Sequence, residues 1–380
     1  MKEFIYADNA ATTKLDVDAF EAMKPFLLEE YANPSQPYLF ARFAKNALKR
    51  SRAQIAECIG ALPEEIYFTS GGTESNNWVI KSSALSDSRK RPMITSQIEH
   101  HALLNACTSI ERLGYPVEYL PVNSNGEVIP ETLERMMEDR IRLVSVMFSN
   151  NEIGTIQPVD QLAKIAHSYG ALFHTDAVQA LGHLKLNVAE LDVDFLSASA
   201  HKFNGPKGVG FLYIKKGTQL PPYSDGGAQE FGLRAGTENV AGVVGMAVAL
   251  QKNCVRIEDN ARRLYELERT MTGILNKYNV DYIHNGGINR TPGNLSFSFK
   301  HVNGETLLHR LDLMGICVST GSACDSVNTN ISHVLRAIAL DDEYANGTIR
   351  ISLGRDNTEE QVIRIAESIV KILKSQAATI

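Results

Sequence analysis

At 380 residues, 44% of them hydrophobic or aromatic, the chain can bury a large core, and its length predicts two domains or one large and one small. A formal net charge of −6 with both signs interspersed leaves no basic stripe for nucleic acid and no polybasic segment for an anionic membrane, so neither is an expected partner. No apolar run resembles a secretory signal or approaches a bilayer span, and the expectation is a soluble cytoplasmic protein.

From about residue 65 to 214, β-type runs alternate with helical patterns. EIYFTS precedes TESNNWVIKSSAL, PMITS precedes HALLNACTSIERL, RLVSVMFS precedes PVDQLAKIAHSYG, and ALFHTD, DFLSASA and VGFLYIK follow. The alternation predicts an α/β layer with a mostly parallel sheet. Leu162, Ile165, Ala166 and Tyr169 keep the spacing of one buried helix face. After SDGGAQEFGLRAGTEN a long helical stretch is expected through about residue 277. NLSFSF, LLHRLDLMG, TIRISLG and a final amphipathic helix then read as a smaller α+β domain. The expected division is 15–257 for the large domain and 1–14 with 258–380 for the small one, the boundary falling inside a helix.

Five cysteines with no CxxC pair read as free thiols rather than a disulfide framework or zinc knuckle. Cys58, Cys107 and Cys254 lie in helix-like apolar patterns and are expected to be buried structural thiols. Cys324, in the small and polar run STGSACDSVNTN, is expected to be exposed.

Open parallel sheets place ligands at the carboxyl ends of their strands, and four such ends carry polar groups here. FTSGGTESNN puts Gly71, Gly72 and Thr73 at a helix start, which suits either a phosphate cradle or a plain helix cap. FHTDAVQA ends a strand on Asp176, with Gln179 three residues on; a carboxylate there needs a cation or donors. SASAHK brings Ser199, His201 and Lys202 together, and MFSNNEIG supplies Asn151. A lysine, a carboxylate and a phosphate cradle together match the needs of pyridoxal phosphate: an amine for the Schiff base, an anion for the pyridinium nitrogen and donors for the phosphate. Lys202 is the proposed amine, and Lys207 is left to solvent or backbone. The bland readings are that Asp176 pairs with an unrelated arginine and Arg350 sits in a structural ion pair. The EHH pair at residues 99–101 suggests no metal, because adjacent side chains on a helix do not face one ligand.

Nearly end to end, the chain resembles the class V branch of fold-type I pyridoxal phosphate enzymes, and within it the cysteine desulfurases of the NifS/IscS type. YADNAATTKLD, ANPS, FTSGGTESNN, EHHALL, SNNEIGTIQP, HTDAVQALG, SASAHKFNGPKGVGFLY, RAGTEN, STGSAC, SHVLRA and IRISLGR carry the resemblance. It implies that His100 stacks on the cofactor ring, Asp176 meets the pyridinium, and Gln179 and Asn151 lie near the ring hydroxyl, Asn151 also near substrate. It further implies that Gly72, Thr73, Ser199 and His201 hold the phosphate with Thr237 of a second subunit, and that Arg350 clamps the substrate carboxylate. A homodimer follows, converting L-cysteine to L-alanine, with sulfur passing as a persulfide on Cys324, in the loop 319–331, to an acceptor such as an iron–sulfur scaffold or a thiolation protein. Tyr38 and Ala41 depart from the family's NPSSxHxxG wording, as do residues 325–331 after the cysteine. The alternatives are a selenocysteine lyase or transaminase of the same class, and a scaffold for sulfur-carrier partners without turnover.

Overall fold

The computed structural model describes residues 4–320 and 331–377. After β1 (Ile5–Tyr6) the chain lays down the central sheet from β2 (Ile66–Thr69), β3 (Met93–Ser96), β4 (Val117–Leu120), β5 (Leu143–Ser145), β6 (Leu172–Asp176), β7 (Phe195–Ser199) and β8 (Gly210–Ile214). The strand order is β2-β8-β7-β6-β5-β3-β4, with β8 antiparallel to both neighbours and the other pairs parallel. The central strands are buried almost throughout, as expected of a sheet covered on both faces, so they read as continuous apolar runs rather than alternating ones. The fold is thus α/β with a mostly parallel, mixed sheet. One strand of this sheet escapes the sequence pattern: β4, VEYL, lies at the sheet edge and is mostly half-buried, so it carries too little apolar signal.

β9 (Tyr282–His284), β10 (Asn294–Phe299) and β12 (Thr348–Ser352) form an antiparallel sheet with β10 in the middle, while β11 (Ile316–Cys317) pairs in parallel with β1. Among the described residues the two largest hydrophobic clusters are drawn one from Ala19 to Leu250 and one from Ile5, Ala7 and residues between Leu264 and Ile372, while a small cluster packs Val334, Leu335 and Ile338 against Ile98, Met147 and Ile153.

The helical stretch expected to run unbroken to residue 277 is two helices, Val240–Cys254 and Ile257–Lys277, bent by 69°. Their side chains explain the break. The first is apolar and buried among the earlier cluster through Val243, Met246 and Leu250, whereas the second turns one face, Leu264, Leu267, Met271 and Leu275, to the later cluster. No single straight axis serves both. Among the described residues no single helix is long and apolar enough to cross a membrane.

Of the thiols, Cys107 is buried and Cys58 and Cys254 are half-buried. Burial pushes the Cys107 thiol up to about 12, so it is inert toward oxidation and alkylation at neutral pH. Cys254 on the neighbouring helix, together with burial, pushes the Cys58 thiol up from its ordinary range.

Candidate active site

The carboxyl ends of β6 and β7 and the start of the helix Gly72–Leu85 face one cavity of about 330 Å³. Its lining includes Gly72, Thr73, His100, Asn151, Asp176, Gln179, Ser199, His201, Lys202 and Arg350, so ten of the residues singled out from sequence converge.

Asp176 closes β6 and is buried. Its Oδ1 accepts from the Val178 N–H at 2.9 Å and its Oδ2 from Asn76 Nδ2 at 2.6 Å, so N–H groups rather than an arginine hold it. Lys202 ends the single turn Ala200–Lys202 that follows β7, and its Nζ donates to the carbonyls of Ala10 and Ala11 at 2.6 and 2.8 Å. The GPK turn beyond it is packed tightly enough that a Cβ on Gly205 would meet Ala200 Cβ at 2.7 Å. Lys207, two residues past that glycine, is exposed. Gln179 Nε2 donates to the same Ala10 carbonyl at 2.9 Å.

His100 is the N-cap of the helix His101–Glu111, and its Nδ1 accepts from the Ala102 N–H at 3.1 Å, which places the proton of the neutral ring on Nε2. Burial lowers its pKa, and nearby Lys202 acts in the same direction against Asp176. His101, by contrast, lies 4.7 Å ring to ring from His333. The two side chains of the EHH pair therefore part company, one to the cavity and one to the helix at His333–Ala337. Burial, with Lys202 and Lys207 nearby, lowers His201 to about 4, and its Nδ1 lies 3.1 Å from Thr12 Oγ1.

The helix Gly72–Leu85 begins without a side-chain cap, because its N-cap is Gly71, at φ 147°. A Cβ on Gly72 would lie 2.5 Å from Val178 Cγ2, so the backbone approaches the sheet as only glycine permits. The first-turn N–H groups thus remain open to an anion at the positive end of the helix.

Arg350, in β12, is buried. Its Nη1 donates to the Asn151 carbonyl at 2.9 Å and its Nη2 to Asp8 Oδ1 at 2.8 Å. Asn294 Nδ2 also donates to the Asn151 carbonyl, at 3.3 Å. The ion-pair reading of Arg350 and its place on the cavity wall therefore both hold.

Thr237 lies exposed just before the helix Val240–Cys254 and does not line this cavity. Tyr38 is exposed and Ala41 is buried at the start of the helix Ala41–Ile59. Cys324 and residues 325–330 lie outside the described residues. Sequence reasoning missed Asp8, Ala10, Ala11 and Asn76. The first three stand in YADNAATT, where two of the working groups are backbone carbonyls that any residue would offer; Asn76 is one of two adjacent asparagines, and only the helix phase selects it.

Two buried polar atoms of lining residues, Asn76 Oδ1 and Arg350 Nε, have no hydrogen-bond partner among the described residues. With the open helix N-terminus, the carboxylate and the amine, they form a donor and acceptor set that fits a phosphorylated pyridine aldehyde.

A family model described as Aminotransferase class-V matches residues 5–365. A protein of Dictyoglomus turgidum named cysteine desulfurase IscS is 48% identical over 99% of this chain and 96% of its own length. One of the same name from Methanosarcina thermophila is 44% identical over 97% of this chain and 92% of its own. Among solved structures, a NifS-like protein superposes with a TM-score of 0.92 at 39% identity, covering 98% of this chain and all of that one. SspA in complex with cysteine gives 0.82 at 35% identity, covering 92% of this chain and 98% of that one.

Proposed function

The chain belongs to the class V aminotransferase family, and on that premise we propose that it is a pyridoxal phosphate-dependent cysteine desulfurase, converting L-cysteine and an enzyme thiol to L-alanine and an enzyme persulfide. The carrying observation is the convergence of Lys202, Asp176, His100, Arg350 and the open helix start at Gly72 and Thr73 on one cavity. The high identity to proteins named cysteine desulfurase, over nearly their full lengths, supports desulfuration over transamination.

In this reading the Gly72 and Thr73 backbone, Ser199 and His201 hold the phosphate, Asp176 meets the ring nitrogen, and His100 covers the ring. Pyridoxal phosphate, when bound, supplies an aldehyde that takes up an amino group and a ring that accepts the electron pair left at Cα. Lys202 Nζ holds and moves the proton at Cα, and its ammonium form is received by the Ala10 and Ala11 carbonyls. Arg350 orients the substrate carboxylate, a task its planar guanidinium suits, and Asn151 is fixed beside it. His100, neutral near neutral pH, offers Nε2–H as a donor without adding a cation beside Lys202. The thiol proposed to take the sulfur is Cys324.

A homodimer belongs to the same proposal. Tyr31, Tyr38, Leu39, Phe40 and Phe43 leave an exposed apolar patch of the kind that marks an interface, and Thr237 is free to reach a neighbouring subunit's cavity. The division into domains 15–257 and 1–14 with 258–380 is supported by the two largest hydrophobic clusters, each of which stays on one side of it. A cytoplasmic location and an acceptor protein for the sulfur complete the reading. Its test is to mix the purified protein with L-cysteine and a reductant: sulfide and alanine should appear in equal amounts. Pyruvate or an oxo acid in place of alanine would overturn it. Cys324→Ser should still bind cofactor and cysteine yet yield no persulfide.

A further inference from the structure

Arg350 already carries a carboxylate. Its Nη2 is paired with Asp8 Oδ1 at 2.8 Å, its Nη1 is taken by the Asn151 carbonyl, and its buried Nε has no hydrogen-bond partner among the described residues. Asp8 is not a mobile surface anion. The Ala11 N–H and Tyr6 Oη both donate to its backbone carbonyl at 3.0 Å, and it bridges to Ser352 at the end of β12. Two residues on, the turn that follows presents the carbonyls that receive Lys202. The backbone of Asp8 is thus anchored in the strap that holds the lysine, and its carboxylate is placed against Arg350.

We propose that Asp8 is a specificity-determining residue, a resident anion that limits how tightly Arg350 takes the carboxylate of substrate and product. The inference rests on Arg350 being the carboxylate clamp. A guanidinium has five N–H donors, of which two are engaged here, so Nε–H and the remaining Nη hydrogens stay available to an incoming carboxylate. That carboxylate arrives beside one already in place, and the repulsion between them weakens binding. The consequence falls on substrate and product alike. L-Alanine carries the same carboxylate as L-cysteine, so a clamp left with its full positive charge would retain product as firmly as it captures substrate.

The test is a titration of the cofactor-loaded protein with L-alanine and with L-alaninamide, which lacks the carboxylate, read from the cofactor's visible absorbance. Asp8→Asn keeps an oxygen to accept from Nη2 while removing the charge. It should bind L-alanine about tenfold more tightly, the effect of one like charge about 6 Å away at an effective dielectric near 40, with no change for L-alaninamide. Asp8→Ser carries the same expectation should Asp8→Asn fail to fold. Unchanged or weaker L-alanine binding by the folded variant overturns the proposal. Arg350→Gln separates the two readings, because it should lose the preference for L-alanine over the amide. If it keeps that preference, the clamp and the role of Asp8 fall together; if only the Asp8 variants are silent, the clamp stands and the role of Asp8 falls.

Discussion

Lys202 Nζ lies 2.6 Å from the carbonyl oxygen of Ala10, a contact across 192 positions of sequence that joins the strap before the first helix to the end of β7. Among the described residues no other lysine lines this cavity. Lys202→Ala should therefore abolish the yellow absorbance of bound cofactor together with alanine formation, while Lys207→Ala, altering an exposed side chain, should keep both. Absorbance spectra of the two purified variants check this, and colour lost with Lys207 would refute the assignment.

Gly72 is predicted to be indispensable to cofactor affinity. A Cβ there would press on Val178, whose N–H holds Asp176 Oδ1, so Gly72→Ala strains the phosphate end and the ring-nitrogen end at once. The apparent dissociation constant for pyridoxal phosphate should rise about tenfold or more, with a loss of about 1–3 kcal/mol in stability from overpacking. Gly273→Ala is the control. It lies inside the helix Ile257–Lys277, where a Cβ meets nothing within 4 Å, and it should stabilise by up to about 1 kcal/mol with cofactor affinity unchanged.

What was legible in the sequence follows from where the information resides. The β-type runs ending in Asp176 and Ser199 are apolar strands closed by polar residues, so both the sheet and the ligand end of each strand can be read locally. Asp8 and the Ala10 carbonyl are different. Their work depends on Arg350 and Lys202, whose approach is set by tertiary packing, and a carbonyl leaves no mark on residue type. The bend between Cys254 and Ile257 was likewise hidden, since nothing in a helical pattern says that two successive faces serve different cores.

Asp16 makes a prediction about stability and pH. It caps the helix Val17–Leu28, is buried, and meets Lys252 Nζ at 2.9 Å and Arg355 Nη2 at 2.5 Å, tying the first helix to a residue beyond β12. Burial alone would raise its pKa, but the hydrogen bonds from Lys252 and Arg355 outweigh that and hold it at about 2. A depressed carboxylate stabilises fully above its unfolded value near 4, and the contribution fades as pH falls toward 2. Asp16→Asn should cost about 2 kcal/mol at neutral pH in denaturant unfolding, and the gap between variant and parent should narrow below pH 4. A gap independent of pH would mean that the charge of Asp16 contributes nothing.

Glu99 should behave in the opposite sense. The side chain is fully buried next to His100, with Oε1 receiving the Ser96 hydroxyl at 2.5 Å and the Met147 N–H at 2.9 Å, while Oε2 has no partner among the described residues. Burial raises its pKa to about 8 despite those two donors, so the folded protein keeps this proton at neutral pH and the unfolded chain, with an ordinary glutamate, does not. Between the unfolded value near 4 and about 8 the folded state thus binds more protons, and the linkage makes stability fall as pH rises through that window. Glu99→Gln removes the titration while keeping the Oε1 acceptor and the shape. It should match or slightly trail the parent near pH 5 and exceed it by a few kcal/mol at pH 8, in unfolding curves at fixed cofactor concentration. A variant that loses stability equally at both pH values would show that Glu99 is ionised in the fold. The carboxylate would then have to be balanced by a partner on its Oε2.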